Sequence, residues 1–427
     1  MLLQGATVAT LDPPLVERAD LRVEGDRIVE RGPSLGARAG EEAVDLSGAV
    51  VLPGLVNGHT HLYSALARGM PGPRVPARNF LEVLERVWWR LDRALDAESV
   101  YLSGLVGAIE AALSGTTLLI DHHASPSFIR GSLDTLRRAI EEVGLRSALC
   151  YEVTDRNGTE GRDLGLAENE AFQSVQSPLT RGMIGGHASF TLSPESLDRL
   201  RDLGQRTGGA VHIHAAEDAI DLFDCQARYG IGLVQRLDAH GLLARTLLAH
   251  CVHLTEAEVA EAHAHGCWIA HNPRSNMNNA VGTASAVAIR RGALGTDGMD
   301  EDMFAEARTA YLKMREGGRA DAMEVTLALL AGGHRLAAAL FGLPFGKLDA
   351  GGPADLVVLD YHPPTPLTTE NLGGHLLFGM DRSHVRSVMV AGRWVMRDRQ
   401  VTGVEAPRLS RESAEVARAL WQRMQAL

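Results

Sequence analysis

Residues 50–61 read VVLPGLVNGHTH, an apolar run that ends in two histidines one residue apart. The run has the length and composition of a buried strand. Seven further strand candidates follow: TTLLIDH, SALCYEV, GMIGGHAS, GAVHIHAAE, TLLAHCVH, CWIAHNP and ALGTDG. Helical sequence lies between them, as in SVYLSGLVGAIEAALSG and in SPESLDRLRDLGQRTG, where Pro194 suits a first helical turn. Eight strands with helical crossovers predict a (β/α)₈ TIM-type barrel, although a doubly wound open sheet would alternate in the same way. MPGPRVPARNF (70–80) is the most loop-like segment and follows the first strand, where a lid would sit.

The first fifty residues have a different texture. ATVATL, ADLRVEGDRIVERG and AVDLSG are short β-like runs, with EGDRIVE carrying the turn residues of a hairpin. ADLVVLDY and VRSVMVAGRWVMRDRQV repeat that texture near the other end. The expected organisation is a small β-sandwich domain built from residues 1–50 and 345–427, with a C-terminal helix. The α/β barrel, residues 51–344, is inserted between its halves.

Six of the eight strands end in or near histidine and another ends in aspartate. The residues are His59 and His61, His122 and His123, His187, His212 and His214, His250 and His253, His271, and Asp297. A barrel gathers its functional groups at the C-terminal ends of its strands. Chance would scatter histidines over helices as readily, so the set reads as a site. His59 and His61 are two apart, and on an extended backbone they face the same side and can share one ion. Imidazole suits zinc, iron or nickel, with a carboxylate as a hard further ligand. Glu217 follows His214 by three residues, which places an acid beside a ligand where a proton shuttle is useful. Trp88 and Trp89 read as packing residues on a helix.

Composition narrows the classes. The 427 residues carry a formal charge of −11, so an extended phosphate-binding surface, and with it nucleic acid as a partner, is not expected. The four cysteines form no CxxC pair, which fits a reducing compartment and argues against a cysteine-built zinc site. The start, MLLQGATVATLDPP, has no basic region followed by an apolar core, and no uninterrupted apolar stretch approaches membrane-helix length. A cytoplasmic protein without a membrane partner is expected.

PGLVNGHTH (53–61), HAAE (214–217), AHC (249–251), HNPRSN (271–276) and LGTDG (294–298) resemble, in order, the motifs of the amidohydrolase superfamily. Within it they resemble most the branch of guanine, cytosine and S-adenosylhomocysteine deaminases and triazine hydrolases. DHHASP, FDCQARYGIGLVQRLDAHGLL and HNPRSNMNNAVG further resemble the SsnA group of aminohydrolases. The resemblance implies that His59, His61, His214 and Asp297 hold one divalent metal ion, zinc or iron(II). It implies Glu217 as general acid/base, His250 as the residue that orients water or polarises the substrate, and Asp297 as a second contact to the water. The implied reaction is deamination of a purine- or pyrimidine-like N-heterocycle by attack of metal-bound hydroxide. Opening of a cyclic amide or displacement of a halide would use the same parts. Relatives are commonly homodimers.

Binuclear members of the superfamily bridge two metals with a carbamylated lysine on the fourth strand. This chain has only two lysines, Lys313 and Lys347, both beyond the last strand motif, so a single ion is expected. For the substrate, His187 in GHASFT resembles a substrate-facing histidine of nucleoside-type deaminases. Arg274 and Asn276 are placed to read carbonyl or phosphate oxygens, at least one of His122 and His123 is expected at the cavity, and Arg68 with the 70–80 loop is expected to close over the ring. Only Ala293 and Leu294 supply apolar strand residues before Asp297, shorter than the family's usual strand.

Overall fold

The computed structural model describes residues 1–285, 289 and 291–427. Eight parallel strands lie side by side in chain order: Leu55–Thr60, Thr116–His123, Arg146–Val153, Ile184–Ala188, Val211–Ala215, Thr246–His250, Trp268–His271 and Gly292–Leu294. A bridge between Thr60 and Asp297 joins the first strand to the chain just after the last. The sheet is therefore a nearly closed barrel, and the open doubly wound alternative falls.

Glycine makes that closure possible. A Cβ on Gly58 would stand 2.8 Å from the Leu294 carbonyl oxygen, and one on Gly295 would stand 2.8 Å from the His59 nitrogen. Asn57 then sews the seam. Its amide donates to Thr296 Oγ1 at 2.6 Å and to Glu301 Oε2 at 2.5 Å, and its oxygen accepts from the Thr296 N–H. The last strand is only three residues long, and the helix Ala322–Phe341 packs directly on it. Gly332 permits this approach, since a Cβ there would lie 1.7 Å from the Gly292 carbonyl oxygen. That helix alone among the described residues is long and apolar enough to cross a membrane, yet Leu329, Leu330, Leu336 and Ala337 are core residues here.

The strand period of two sorts the barrel interior into layers. Leu118 and Ile120 of the second strand, and Ala148 and Cys150 of the third, fill the lower interior with Val56, Leu247, Ala270 and Phe345. In the same phase His122 and Glu152 stand one step higher, so the apolar floor gives way to a polar layer at the C-terminal rim.

The termini form a second, nine-stranded sheet. From the N-terminal side come Leu2–Leu11, Pro14–Glu24, Arg27–Gly32, Ala43–Asp45 and Val50–Pro53; from the other come Leu356–Leu359, Val385–Val390, Arg393–Arg397 and Gln400–Val401. The expected EGDR hairpin is present, with Glu24 opposite Arg27. The opening run differs from its sequence reading. Val50–Pro53 pairs with Leu356–Leu359 in the terminal sheet, and the barrel strand begins only at Leu55. Gly54 is the break point, where a Cβ would meet the Thr117 side chain at 2.2 Å. Apolarity alone does not distinguish one buried strand from two in different sheets.

Arg146, at the start of the third barrel strand, reaches the terminal sheet. Its Nε and Nη2 donate to both oxygens of Asp355 at 2.6 and 3.0 Å, with both side chains buried. Arg146→Ala would leave Asp355 charged and unpaired. It is expected to reduce unfolding free energy by about 3–5 kcal/mol, read from urea denaturation.

Candidate active site

The histidines and carboxylates meet where the barrel strands end. His59 lies within the first strand and His61 just beyond it, while His214 and His250 lie at the ends of the fifth and sixth strands. The backbone is bent hard there. Ala216, His250, Cys251 and Asp297 all have positive φ, at 49°, 72°, 52° and 56°. Such left-handed non-glycine residues are costly and gather at functional sites.

The ring nitrogens are oriented from behind. His61 Nδ1 donates to the His122 carbonyl at 2.5 Å, and His214 Nδ1 donates to the His187 carbonyl at 2.8 Å. In its neutral form each ring therefore turns an Nε2 lone pair inward, and these two nitrogens stand 3.1 Å apart. Asp297 Oδ1 lies 3.1 Å from His61 Nε2 and 3.4 Å from His59 Nε2. His59 Nδ1 is tied to His212 Nε2 at 2.9 Å, and its own Nε2 is buried with no hydrogen-bond partner. The ligand atoms of His59, His214, His250 and Asp297 all lie within 4.8 Å of one another.

Facing lone pairs beside a buried carboxylate repel unless a cation lies among them. These residues fit a divalent ion, and backbone carbonyls behind ligating imidazoles are the usual outer support. Electrostatics divide over that donor set: burial holds His214 well below its usual value, whereas at His61 burial is outweighed by the hydrogen bond and charge of Asp297, which raise it to about 9. Burial lowers His59 to about 3 and favours its neutral form. Burial also opposes the charge on Asp297, but the adjacent His59 and His61 rings outweigh it and hold the carboxyl well below its usual range.

Glu217 and His250 face the same point from one side. His250 Nε2 is 3.6 Å from Glu217 Oε2 and 3.9 Å from Asp297 Oδ2. Burial lifts Glu217 to about 7, which suits a group that must both take and return a proton near neutrality. The helix Pro273–Asn278 and the residue after it hold this arrangement from behind. Ser275 donates to Asp297 Oδ2, Asn279 donates to Glu217 Oε1 at 3.4 Å, and Asn276 Oδ1 accepts from His250 Nδ1 at 2.8 Å. Asn276→Ala frees the His250 ring. It is expected to lower kcat about 10–100-fold with ion content retained, read by kinetics beside elemental analysis.

The expected substrate contacts divide. His187 is at the cavity, with Nδ1 bonded to Thr191 Oγ1 at 2.6 Å. His122, Arg274, Asn276 and Arg68 do not line it. His122 is fully buried behind the ligands, its Nε2 donating to the Gly186 carbonyl, and His123 bonds Ser125. Arg274 is held by Glu306 and Asp300 on the following helix and loop, its Nε and Nη1 meeting their carboxylates and its Nη2 the Asp300 carbonyl. Asn276 serves His250 instead of a ligand. Arg68 leaves the turn on the outside and forms a bidentate pair with Glu110 at 2.5 and 2.6 Å. Within the 70–80 segment only Phe80 reaches the cavity, while residues 70–75 line a separate groove against the C-terminal helix.

The wall that sequence reasoning missed comes from residues 80–92. Leu84–Trp88 is wound as a π-helix, an irregularity that often marks functional sites. It presents Trp88 and Trp89 to the cavity instead of leaving them as packing alone, and Asp92 follows. Glu152 also lines it, one strand step beyond Cys150. Its phase with Ala148 and Cys150 was the available signal.

A metal-supporting histidine and carboxylate rim on a β/α barrel defines a hydrolase class, and residues 50–395 match the amidohydrolase family. The chain belongs to that family and is a hydrolase acting on C–N bonds. It is 32% identical over 425 residues to a 5-methylthioadenosine/S-adenosylhomocysteine deaminase of Desulforudis audaxviator, covering 94% of each chain. It is 29% identical to a 5'-deoxyadenosine deaminase of Methanosarcina mazei, covering 98% of each. Among solved structures it is similar to an adenosine deaminase of Xanthomonas campestris with bound zinc, at a TM-score of 0.86 and 25% identity over 100% of this chain and 98% of that one. A zinc-complexed atrazine chlorohydrolase of Arthrobacter aurescens shares the fold at a TM-score of 0.82 and 20% identity, over 97% of this chain and 99% of that one.

Proposed function

We propose that the protein deaminates an adenosine-like aminopurine, using one divalent ion held by His59, His61, His214 and Asp297. Zinc is the favoured metal, iron(II) having the same donors. The observation that carries the reading is the inward turn of the His61 and His214 lone pairs onto Asp297, with Glu217 and His250 beside them. An ion in that place supplies a nucleophile at neutral pH by lowering the pKa of water toward about 7.

The chain's own groups do the rest. Glu217, raised by burial, accepts the proton of the attacking water and passes a proton to the departing amine nitrogen. His250, its Nδ1 held by Asn276, turns Nε2 toward the atoms where charge develops. Ser275 fixes the Asp297 oxygen that faces His250. Trp88, Trp89 and Phe80 supply flat apolar surface for a heterocycle, and His187 offers it a polar edge. The homodimer and the cytoplasmic setting belong to the same reading, and light scattering of the purified chain tests the first.

Ammonia release should be measured on adenosine, 5'-deoxyadenosine, 5-methylthioadenosine and S-adenosylhomocysteine, with aminopterins and aminotriazines as further arms. Release from at least one adenosine-type compound is expected. Chloride release or ring opening without any ammonia would overturn the reading. No feature of the cavity favours those alternatives.

A further inference from the structure

One part of the cavity plays no role in the chemistry above. Asp92 and Glu152 both line it and are 4% and 5% exposed. Their situations differ. Glu152 is paired with Arg156, whose guanidinium lies over the Trp89 ring at 4.4 Å, and its other oxygen is 3.6 Å from His122 Nδ1. The Asp92 Oδ1 is buried and has no hydrogen-bond partner among the described residues, while the Tyr63 hydroxyl, also at the cavity, is the neutral donor beside the carboxyl. Asp92 and Trp89 also border a neighbouring recess with Arg156 and Asn157, so a ligand extending past the aromatic wall has room to continue.

A buried acceptor without a donor is costly, and a second carboxylate nearby adds repulsion. Burial, followed by the charge of Glu152, raises Asp92 to about 8. Arg156 and Arg93 are the cations of this corner, and both are engaged, Arg156 by Glu152 and Arg93 through its Nε by the Trp89 carbonyl. An incoming positive nitrogen would complete it.

We propose that Asp92, supported by Glu152, is a specificity-determining residue that binds a cationic amino group carried by the substrate away from the amine to be removed. The proposal rests on the deaminase reading for the ring it attaches to, but its test reads binding alone. The probes are adenines carrying aminoalkyl, hydroxyalkyl or alkyl arms of matched and graded length on the ring nitrogen remote from the exocyclic amine. Their dissociation constants are measured by calorimetry on ion-loaded Glu217→Gln protein, where turnover does not interfere.

At the best arm length the aminoalkyl compound is expected to bind at least tenfold more tightly than the other two. Asp92→Asn and Asp92→Leu in the same background should remove that preference, and Asp92→Glu should restore most of it. Equal affinity for all three arms at every length would overturn the proposal with no Asp92 variant needed. So would a preference that survives Asp92→Asn. Ammonia release by the unmodified enzyme on the same compounds is read separately. Its absence would count against the deaminase reading while the binding preference still decides the role of Asp92.

Discussion

Glu217→Gln is expected to lower kcat about a thousandfold while the protein still holds its ion. The amide has nearly the same shape and can still accept from Asn279, so the cavity should keep its form. What it lacks is a lone pair basic enough to take a proton from water, and positioned acid–base catalysis of this kind contributes about 10²–10⁴-fold. Steady-state kinetics paired with elemental analysis makes the check. Full activity in this variant would remove Glu217 from the reaction.

The second large effect is expected at Asp297. Its backbone has φ 56°, a conformation that asparagine tolerates well, so Asp297→Asn changes the charge without adding strain. The His59, His61 and His214 rings would then surround an ion with no anion among them. Ion affinity is expected to fall at least tenfold and kcat/KM by about a thousandfold, the sum of a weaker site and a misplaced nucleophile. Titration of the metal-free protein with zinc, followed by calorimetry, reads the first quantity. A variant that retains stoichiometric ion and full turnover would show that Asp297 is not part of the centre.

Much of this centre was visible in the chain. His59 and His61 could be paired because strand geometry is local and repeats every two residues. His214 and Glu217 could be associated because three residues separate them across a strand end. The supporting residues were harder to assign. HNPRSN reads as a motif that places Arg274 and Asn276 at the substrate, whereas Arg274 pairs with Glu306 and Asp300 and Asn276 serves His250. Nothing local distinguishes an arginine that meets a ligand from one neutralised by a helix some thirty residues later. Arg68 illustrates the same limit, its partner Glu110 lying on a distant helix.

By itself the sequence determined the barrel class and the strand ends that carry imidazole and carboxylate. Those properties depend on residue type and short-range period. Only the tertiary structure decided that VVLP and LVNGHT belong to different sheets, that residues 80–92 contribute to the cavity wall, and that Asp92 there carries a buried oxygen without a hydrogen-bond partner. Each of these depends on which distant segments come to lie side by side. A buried acceptor becomes informative only when its surroundings are known.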